Sequence, residues 1–556
     1  MRAALLVFVC LGITLWRQAG AATEEAGDQY TRIPFTLPAG LGQVLVADAD
    51  GDGLKDLLAL DDKSLRIYFQ NETGFDFAAG GHSLDLPGSA IGWDLAHLDQ
   101  ADSALTLLAL IDGRQVLAWP LTREREPAAP LILLDDLQGF ISKGVHRLRL
   151  AQDINADGRV DLVLPAAGTL QLHIRNADGG FQAALTVQAD FRMRTRLSSN
   201  SLQRDSGQVV NIPLMQLRDV NADGHLDLIS RTDEKLEVFI ADSRGTRYFA
   251  AVPSYSLDLA AIAEGLGEFD VDKLDFSNLT GILALTHEEI LEDIDGDGIE
   301  DLLLREGGKV SLFAGTATGM ALQQPRQVLR SSGNVLGTFV HDEDGDGRKD
   351  LWLWRVEEVS VGDVFLWLAL SGSVAVEAFI YPNEGDVFAR RPSRKITVNL
   401  KFPSMLRLAS SVNEMTRELR EAADEPALPV RPARMGNAPG SRDLLALLGD
   451  RIDGFRNAVS VQPEGEQFLS ILDYSRQRND YEVDVRQVLE KAVAESSYTA
   501  LLKNRSADYS IALASPTSGG DIIAAAINDD EQDDLFVFFE RTDDYIRGML
   551  LLSNSP

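Results

Sequence analysis

Residues 48–57 read DADGDGLKDL. The same rule returns as DINADGRVDL at 153–162, DVNADGHLDL at 219–228, DIDGDGIEDL at 293–302 and DEDGDGRKDL at 342–351. Numbering the first residue of each loop zero, the pattern is Asp, Asp or Asn at +2, Asp at +4, Gly at +5, Asp at +8 and Leu at +9. Self-similarity of this kind marks a repeat architecture. Alternate acidic residues in a tight loop converge their oxygens on one point. A hard cation such as Ca2+ wants about six to eight oxygen ligands of this type. Gly at +5 supplies the positive φ of a sharp turn, the main-chain carbonyl at +6 then faces the ion, and Asp at +8 closes the shell. Without a cation, carboxylates ~4 Å apart repel by roughly 1 kcal/mol even in water.

The candidate ligands follow loop by loop. They are Asp48, Asp50, Asp52, Leu54 and Asp56; Asp153, Asn155, Asp157, Arg159 and Asp161; Asp219, Asn221, Asp223, His225 and Asp227; Asp293, Asp295, Asp297, Ile299 and Asp301; and Asp342, Asp344, Asp346, Arg348 and Asp350. Leu54, Arg159, His225, Ile299 and Arg348 enter only through their carbonyls. An EF-hand loop would place a bidentate Glu at +11. Here that position holds Ala59, Leu164, Ser230, Leu304 and Leu353, so a helix–loop–helix site is excluded.

Short apolar runs flank each loop, such as Val44–Val46 before the first and Leu57–Leu60 after it. A third, alternating run follows, as in Leu65-Arg66-Ile67-Tyr68-Phe69 and Leu236-Glu237-Val238-Phe239-Ile240. Period-two alternation predicts half-buried strands. Each unit therefore reads strand, acidic loop, strand, strand, turn, strand.

These units resemble the FG-GAP/VCBS repeats that form the blades of integrin α-subunit-type β-propellers. The resemblance implies that the +0, +2, +4 and +8 residues hold Ca2+, at about five sites, and that the fold is all-β. It says little about the partner. Two decayed units extend the count. One offers Leu98, Gln100, Asp102 and Thr106 at the ligand positions, the other Ala526, Asn528, Asp530 and Asp534. Seven units predict a seven-bladed propeller of four-stranded blades, with an eighth blade in the long gap before residue 526 as the competing count. The last unit lacks a fourth strand, which Tyr30–Leu37 would supply and so cover an open sheet edge.

The expected organisation is a signal peptide at 1–21, blades 1–6 with the closing strand at 22–402, a mostly helical insertion at 403–520 and the last blade at 521–556. The signal reading rests on Met1–Arg2, the apolar run Ala3–Trp16 and the small residues Ala19-Gly20-Ala21. The insertion reading rests on near-helical apolar spacing in 405–423 and on helical character at 442–456 and 485–503, with the proline-rich stretch 424–441 between. A shorter excursion, 356–376, interrupts the sixth unit.

Composition bounds the rest. The chain has 556 residues, is 45% hydrophobic and carries a net charge of −33, with Cys10 its single cysteine. Thiol catalysis is thereby excluded from a processed chain, and the charge disfavours nucleic acid and anionic membranes. No G-x-S-x-G, H-E-x-x-H or P-loop appears. The sequence thus predicts an exported protein, secreted, periplasmic or on the cell surface. It would have no transmembrane segment once processed, and would act as a binding, adhesion or interaction scaffold for a protein or carbohydrate ligand. An extracytoplasmic enzyme acting on carbohydrate is the alternative.

Overall fold

The computed structural model describes residues 24–553, except short connections and the longer stretches 411–428, 461–477 and 489–504. The predicted signal peptide lies outside the described residues. The strands of the described part assemble into eight sheets of four or five strands and three two-stranded ribbons. In chain order, sheet 1 holds Gln43–Ala47, Asp56–Leu60, Ser64–Tyr68 and His82–Asp85. Sheets 2, 3, 4 and 5 repeat this antiparallel meander from residues 90, 151, 214 and 287 onward. Sheet 6 runs Asn334–His341, Asp350–Val356, Gly372–Tyr381 and Arg394–Phe402. Sheet 7 holds Val430–Ala433, Ser441–Leu448, Arg451–Ser460 and Tyr509–Ala512. Sheet 8 holds Asp521–Ala525, Asp534–Arg541, Tyr545–Ser553 and, as its fourth strand, Tyr30–Pro38. That last strand pairs antiparallel with Tyr545–Ser553 from Tyr30↔Ser553 to Pro38↔Tyr545. A C-terminal unit short of one strand needs this pairing.

The second strand of each sheet is buried on both faces; Thr106–Ile111 is buried at all six positions. Such a strand shows no alternation and needs apolar cover from both neighbouring sheets. Among the described residues, shared cores supply it between all neighbours except sheets 6 and 7. Leu58 and Leu65 of sheet 1 pack with Leu107 and Trp119 of sheet 2. Leu108 of sheet 2 packs with Leu162 of sheet 3, and Leu172 of sheet 3 with Phe239 of sheet 4. Leu257 of sheet 4 meets Leu302 of sheet 5, and Leu303 of sheet 5 meets Leu353 of sheet 6. Leu445 of sheet 7 packs with Val537 of sheet 8, whose Phe536 packs with Leu57 of sheet 1. Each such side chain is worth about 1.5–3 kcal/mol of burial.

Two sequence expectations need correction. Residues 442–456 form a β-hairpin, not a helix: Leu448 pairs with Arg451 across Gly449-Asp450, with Gly449 at φ 58°. The strand Ser441–Leu448 is buried on both faces, so its apolar run carries no period that separates strand from helix. The count of seven units accordingly falls one short of the eight sheets. Of the other expected helices in 403–520, residues 405–410 and 485–488 are helical, and their continuations lie outside the described residues. The excursion in the sixth unit is a helix, Val361–Ala369, capped by Ser360. A hairpin absent from the sequence reading, Asp190–Leu197 with Arg204–Asn211, lengthens the connection between sheets 3 and 4.

Candidate metal loops

Each acidic loop joins the first two strands of its sheet, so strand geometry fixes both of its ends. Within the loop, the first aspartate turns back on the backbone. Asp48 accepts the N–H of Gly51 at 2.8 Å and of Gly53 at 2.9 Å. Asp293 accepts Gly296 and Gly298, and Asp342 accepts Gly345, Asp346 and Gly347. Asp153 and Asp219 accept the amides at +4 and +5 instead. The +4 aspartate accepts the N–H of the +6 residue in all five loops: Asp52 from Leu54, Asp157 from Arg159, Asp223 from His225, Asp297 from Ile299 and Asp346 from Arg348. The glycines at +5 take positive φ in every loop, from 82° at Gly158 to 91° at Gly53. The +3 residue is left-handed as well. It is Gly51, Gly296 or Gly345 in three loops, but Ala156 (φ 55°) and Ala222 (φ 58°) in the other two.

The same two loops differ in their oxygens. Carboxylate oxygens of Asp48, Asp50 and Asp56 lie within 4.8 Å of one another, as do those of Asp293, Asp295 and Asp297 and of Asp342, Asp344 and Asp346. Asp50 Oδ2 pairs with Arg123. Its side chain is only 9% exposed, and its buried Oδ1 has no hydrogen bond. Loops 153 and 219 satisfy themselves: Asn155 Nδ2 donates to Asp157 at 2.9 Å and Asn221 Nδ2 to Asp223 at 3.0 Å. Arginines neutralise part of the charge. Arg123 of the sheet 2 unit pairs with Asp50 and Asp52, Arg326 pairs with Asp295, and Arg159 and Arg348 pair with the +4 aspartates of their own loops.

The +8 aspartate does something that the sequence reading missed. It is buried and clamps two pieces of backbone. Asp56 accepts Ala49 N–H at 2.9 Å and Gln70 N–H at 2.8 Å. Asp161 accepts Ile154 and Arg175, Asp227 accepts Val220 and Ala241, and Asp350 accepts Glu343 and Asn383. Asp301 accepts Gly315. The clamp persists where the loop has decayed. Asp534 accepts Ile527, Asn528 and Ser553, and Asp443 of sheet 7 accepts Asn457 N–H and the Tyr509 hydroxyl. Burial pushes the carboxyls of Asp56, Asp161 and Asp301 up to about 6, against the lowering pull of those amides and with a smaller push from the loop aspartates.

The loops also touch one another. Leu105 N–H donates to Ala49 O at 2.8 Å, Glu300 to Val220 O at 2.8 Å and Lys349 to Ile294 O at 3.1 Å. In each case a +7 amide meets the +1 carbonyl of the preceding loop. Val160 N–H, also a +7 amide, donates to Leu98 O, the +0 carbonyl of the decayed loop, at 3.0 Å. The loops of sheets 1 to 3 and of sheets 4 to 6 therefore form two hydrogen-bonded rows.

Residues 293–353 match the FG-GAP-like repeat family. The match spans the loops of sheets 5 and 6, two of the three that gather carboxylates. No curated protein matches the sequence. Among solved structures, an Agrocybe aegerita lectin described as specifically recognising non-reducing terminal N-acetylglucosamine shares 15% identity. The alignment covers 68% of this chain and 81% of the lectin, with a TM-score of 0.25. A chain from the complex of BBS1N with ARL6DN shares 8% identity over 93% of this chain and 97% of its own length, with a TM-score of 0.21. At these scores the likenesses are distant and carry no argument. Among the described residues no helix is long and apolar enough to cross a membrane.

Proposed function

We propose that the chain is a calcium-braced β-propeller of eight blades, exported from the cytoplasm, that works as a binding scaffold. Support for the ring comes from the succession of eight sheets, from cores shared by every neighbouring pair except sheets 6 and 7 among the described residues, and from the packing of Phe536 of sheet 8 with Leu57 of sheet 1. The observation that carries the calcium reading is the gathering of three carboxylates in loops 48, 293 and 342, with the buried Oδ1 of Asp50 left without a hydrogen bond. Asp, Asn and carbonyl oxygens at this density are the donor set of a hard cation. When bound, Ca2+ offsets the mutual repulsion of the loop carboxylates. The chain supplies the rest: the +8 aspartates hold the loop ends, the +5 glycines set the turn, and the amide-to-carbonyl contacts tie each loop to the next.

Metal analysis of calcium-stripped and reloaded protein tests this. Roughly three to five Ca2+ per chain are expected, the upper figure only if the Asn loops also fill. A stoichiometry of zero or one would sink the reading.

A further inference from the structure

We infer that Arg123, which the sheet 2 unit sends to loop 48, is a built-in competitor for calcium there and holds that site below loop 293 in affinity. The inference rests on the calcium reading above and adds to it a residue that belongs to no acidic loop. Arg123 follows the third strand of sheet 2, Gln115–Pro120. The chain is kept beside the loops by the Leu121 N–H, which donates to Leu105 O at 2.8 Å. The guanidinium then forks across two of the candidate ligands. Nε donates to Asp50 Oδ2, and Nη2 to Asp52 Oδ2 and to Gln70 O. Its central carbon lies 5.4 Å from the centroid of the Phe69 ring. A planar fork satisfies paired carboxylates in a way that a point charge does not.

Where the fork lands decides its effect. Asp52 Oδ1 is taken by the Leu54 N–H, as Oδ1 of Asp297 is by Ile299 and of Asp346 by Arg348. Oδ2 is therefore the oxygen left for an ion, and Arg123 sits on it. In loops 293 and 342 the third gathered carboxylate is the +4 aspartate, Asp297 or Asp346; in loop 48 it is Asp56, and Asp52 stands outside the set. Loop 293 carries a weaker version of the contact. Arg326 pairs with Asp295 at +2, and among the described residues no cation pairs with Asp297. An ion held at loop 48 through Asp50 Oδ1 would face the guanidinium across one carboxylate, and like charges that close repel. The arginine can yield: its side chain is 43% exposed and that of Asp52 35%. Sheets 1 and 2 stay joined when it does, through the Leu105 N–H on Ala49 O and their shared core. Filling loop 48 thus exchanges an ion pair between sheets for an ion within the loop.

The test uses the full chain in an Asp297→Ala/Asp346→Ala background, with calcium titrated calorimetrically into stripped protein. The loop 48 site is the one that a further Asp48→Ala removes. Arg123→Gln is expected to tighten calcium binding at that site about three- to tenfold and, in the same protein, to lower the melting temperature without calcium. The opposite signs are the signature, since a merely structural arginine would move only the second. Arg123→Lys, which keeps the charge but cannot fork, is expected to tighten binding by about twofold, and it carries the test should the glutamine variant unfold. Calcium bound at loop 48 with unchanged or weaker affinity in both variants would overturn the inference and leave the calcium reading standing. So would a loop 48 that stays empty in both variants while loop 293 fills in the otherwise wild-type chain. A wild-type chain that binds no calcium at all would remove the calcium reading and this inference with it.

Discussion

Loops 48, 293 and 342 and loops 153 and 219 obey one sequence rule yet solve different problems. The first three carry an acid at +2, glycine at +3 and three carboxylates drawn together. In the other two, the Asn155 and Asn221 side-chain amides donate to the +4 carboxylate and fill with a hydrogen bond the role an ion would play. Their +3 residue is an alanine in the left-handed region. On the proposed reading, the first kind is completed by a cation; the second already satisfies its +4 carboxylate with the asparagine amide. Both kinds share the +8 clamp, which also survives at Asp534 and Asp443, where the acidic loop is lost. The clamp is therefore the more persistent part of the repeat, absent where Thr106 stands at +8 in the sheet 2 unit, and the loop acids vary more.

The largest effect should come from breaking that clamp. In Asp534→Ala the buried amides of Ile527 and Ser553 lose their acceptor, in a unit whose described loop residues gather no carboxylate cluster. Stranding buried donors costs about 1–3 kcal/mol each, so a loss of roughly 3 kcal/mol is expected, equal with and without calcium. A denaturant melt showing a loss under about 1 kcal/mol, within the range of surface substitutions, or a loss that calcium repairs, would return the +8 aspartate to the role of a simple ligand.

The comparison is next sharpened by Asp297→Ala against Asp157→Ala. At sites of ~10⁻⁴–10⁻³ M, millimolar calcium stabilises by about 0.4–1.4 kcal/mol per filled site. Asp297→Ala should abolish that increment, whereas Asp157→Ala should leave the calcium response of the melting temperature almost unchanged. Equal losses in a calcium titration would mean that the Asn loops bind as well as the acidic ones.

How much of this was legible is itself uneven. The five loops, their flanking strands and the spare strand at residue 30 are written as a repeated local rule. Sheet 7 was also written, though faintly. Residues 443–447 read DLLAL, identical to 56–60, with Gly440 at +5, Asp443 at +8 and Leu444 at +9. A search led by metal ligands passes over it, because Met435, Asn437 and Pro439 stand at +0, +2 and +4. The Gly449-Asp450 turn between two apolar runs was the hairpin signal that helical spacing masked. The +8 clamp was not legible: an aspartate reads as a ligand until the partner of its second oxygen, fourteen residues away at Gln70, Arg175 or Ala241, is known.

Acidity offers a third test. In calcium-stripped protein the folded state holds protons on Asp56, Asp161 and Asp301 up to about pH 6, whereas the unfolded chain releases them near 3.8. Between those values the folded state binds more protons, so the contribution of these groups to stability falls as pH rises and is flat above about 6. Calcium favours the ionised loop and acts in the opposite sense. The melting-temperature difference between calcium-loaded and stripped protein should therefore shrink from pH 7 to pH 5. A difference that is constant or grows would separate these carboxyls from the calcium response.

The smallest effect concerns the backbone alone. Ala156 and Ala222 sit at φ 55° and 58°, where an L side chain costs roughly 1–2 kcal/mol. Glycine removes that strain but adds about 0.5–1 kcal/mol of unfolded-state entropy. The net gain expected for Ala156→Gly is therefore only about 0.5–1 kcal/mol, read as a small rise in melting temperature without calcium. The +3 glycines of the acidic loops give the mirror experiment. Gly345→Ala meets no atom within 4 Å and should lose a similar amount through φ alone. Gly51→Ala would place its Cβ 2.5 Å from the Ser103 backbone and should lose more, because a neighbouring loop must move. If Ala156→Gly also raised calcium affinity, loop strain rather than the missing carboxylate would be what separates the two kinds of loop. If it stabilises the stripped protein and leaves the calcium response small, the asparagine is the cause.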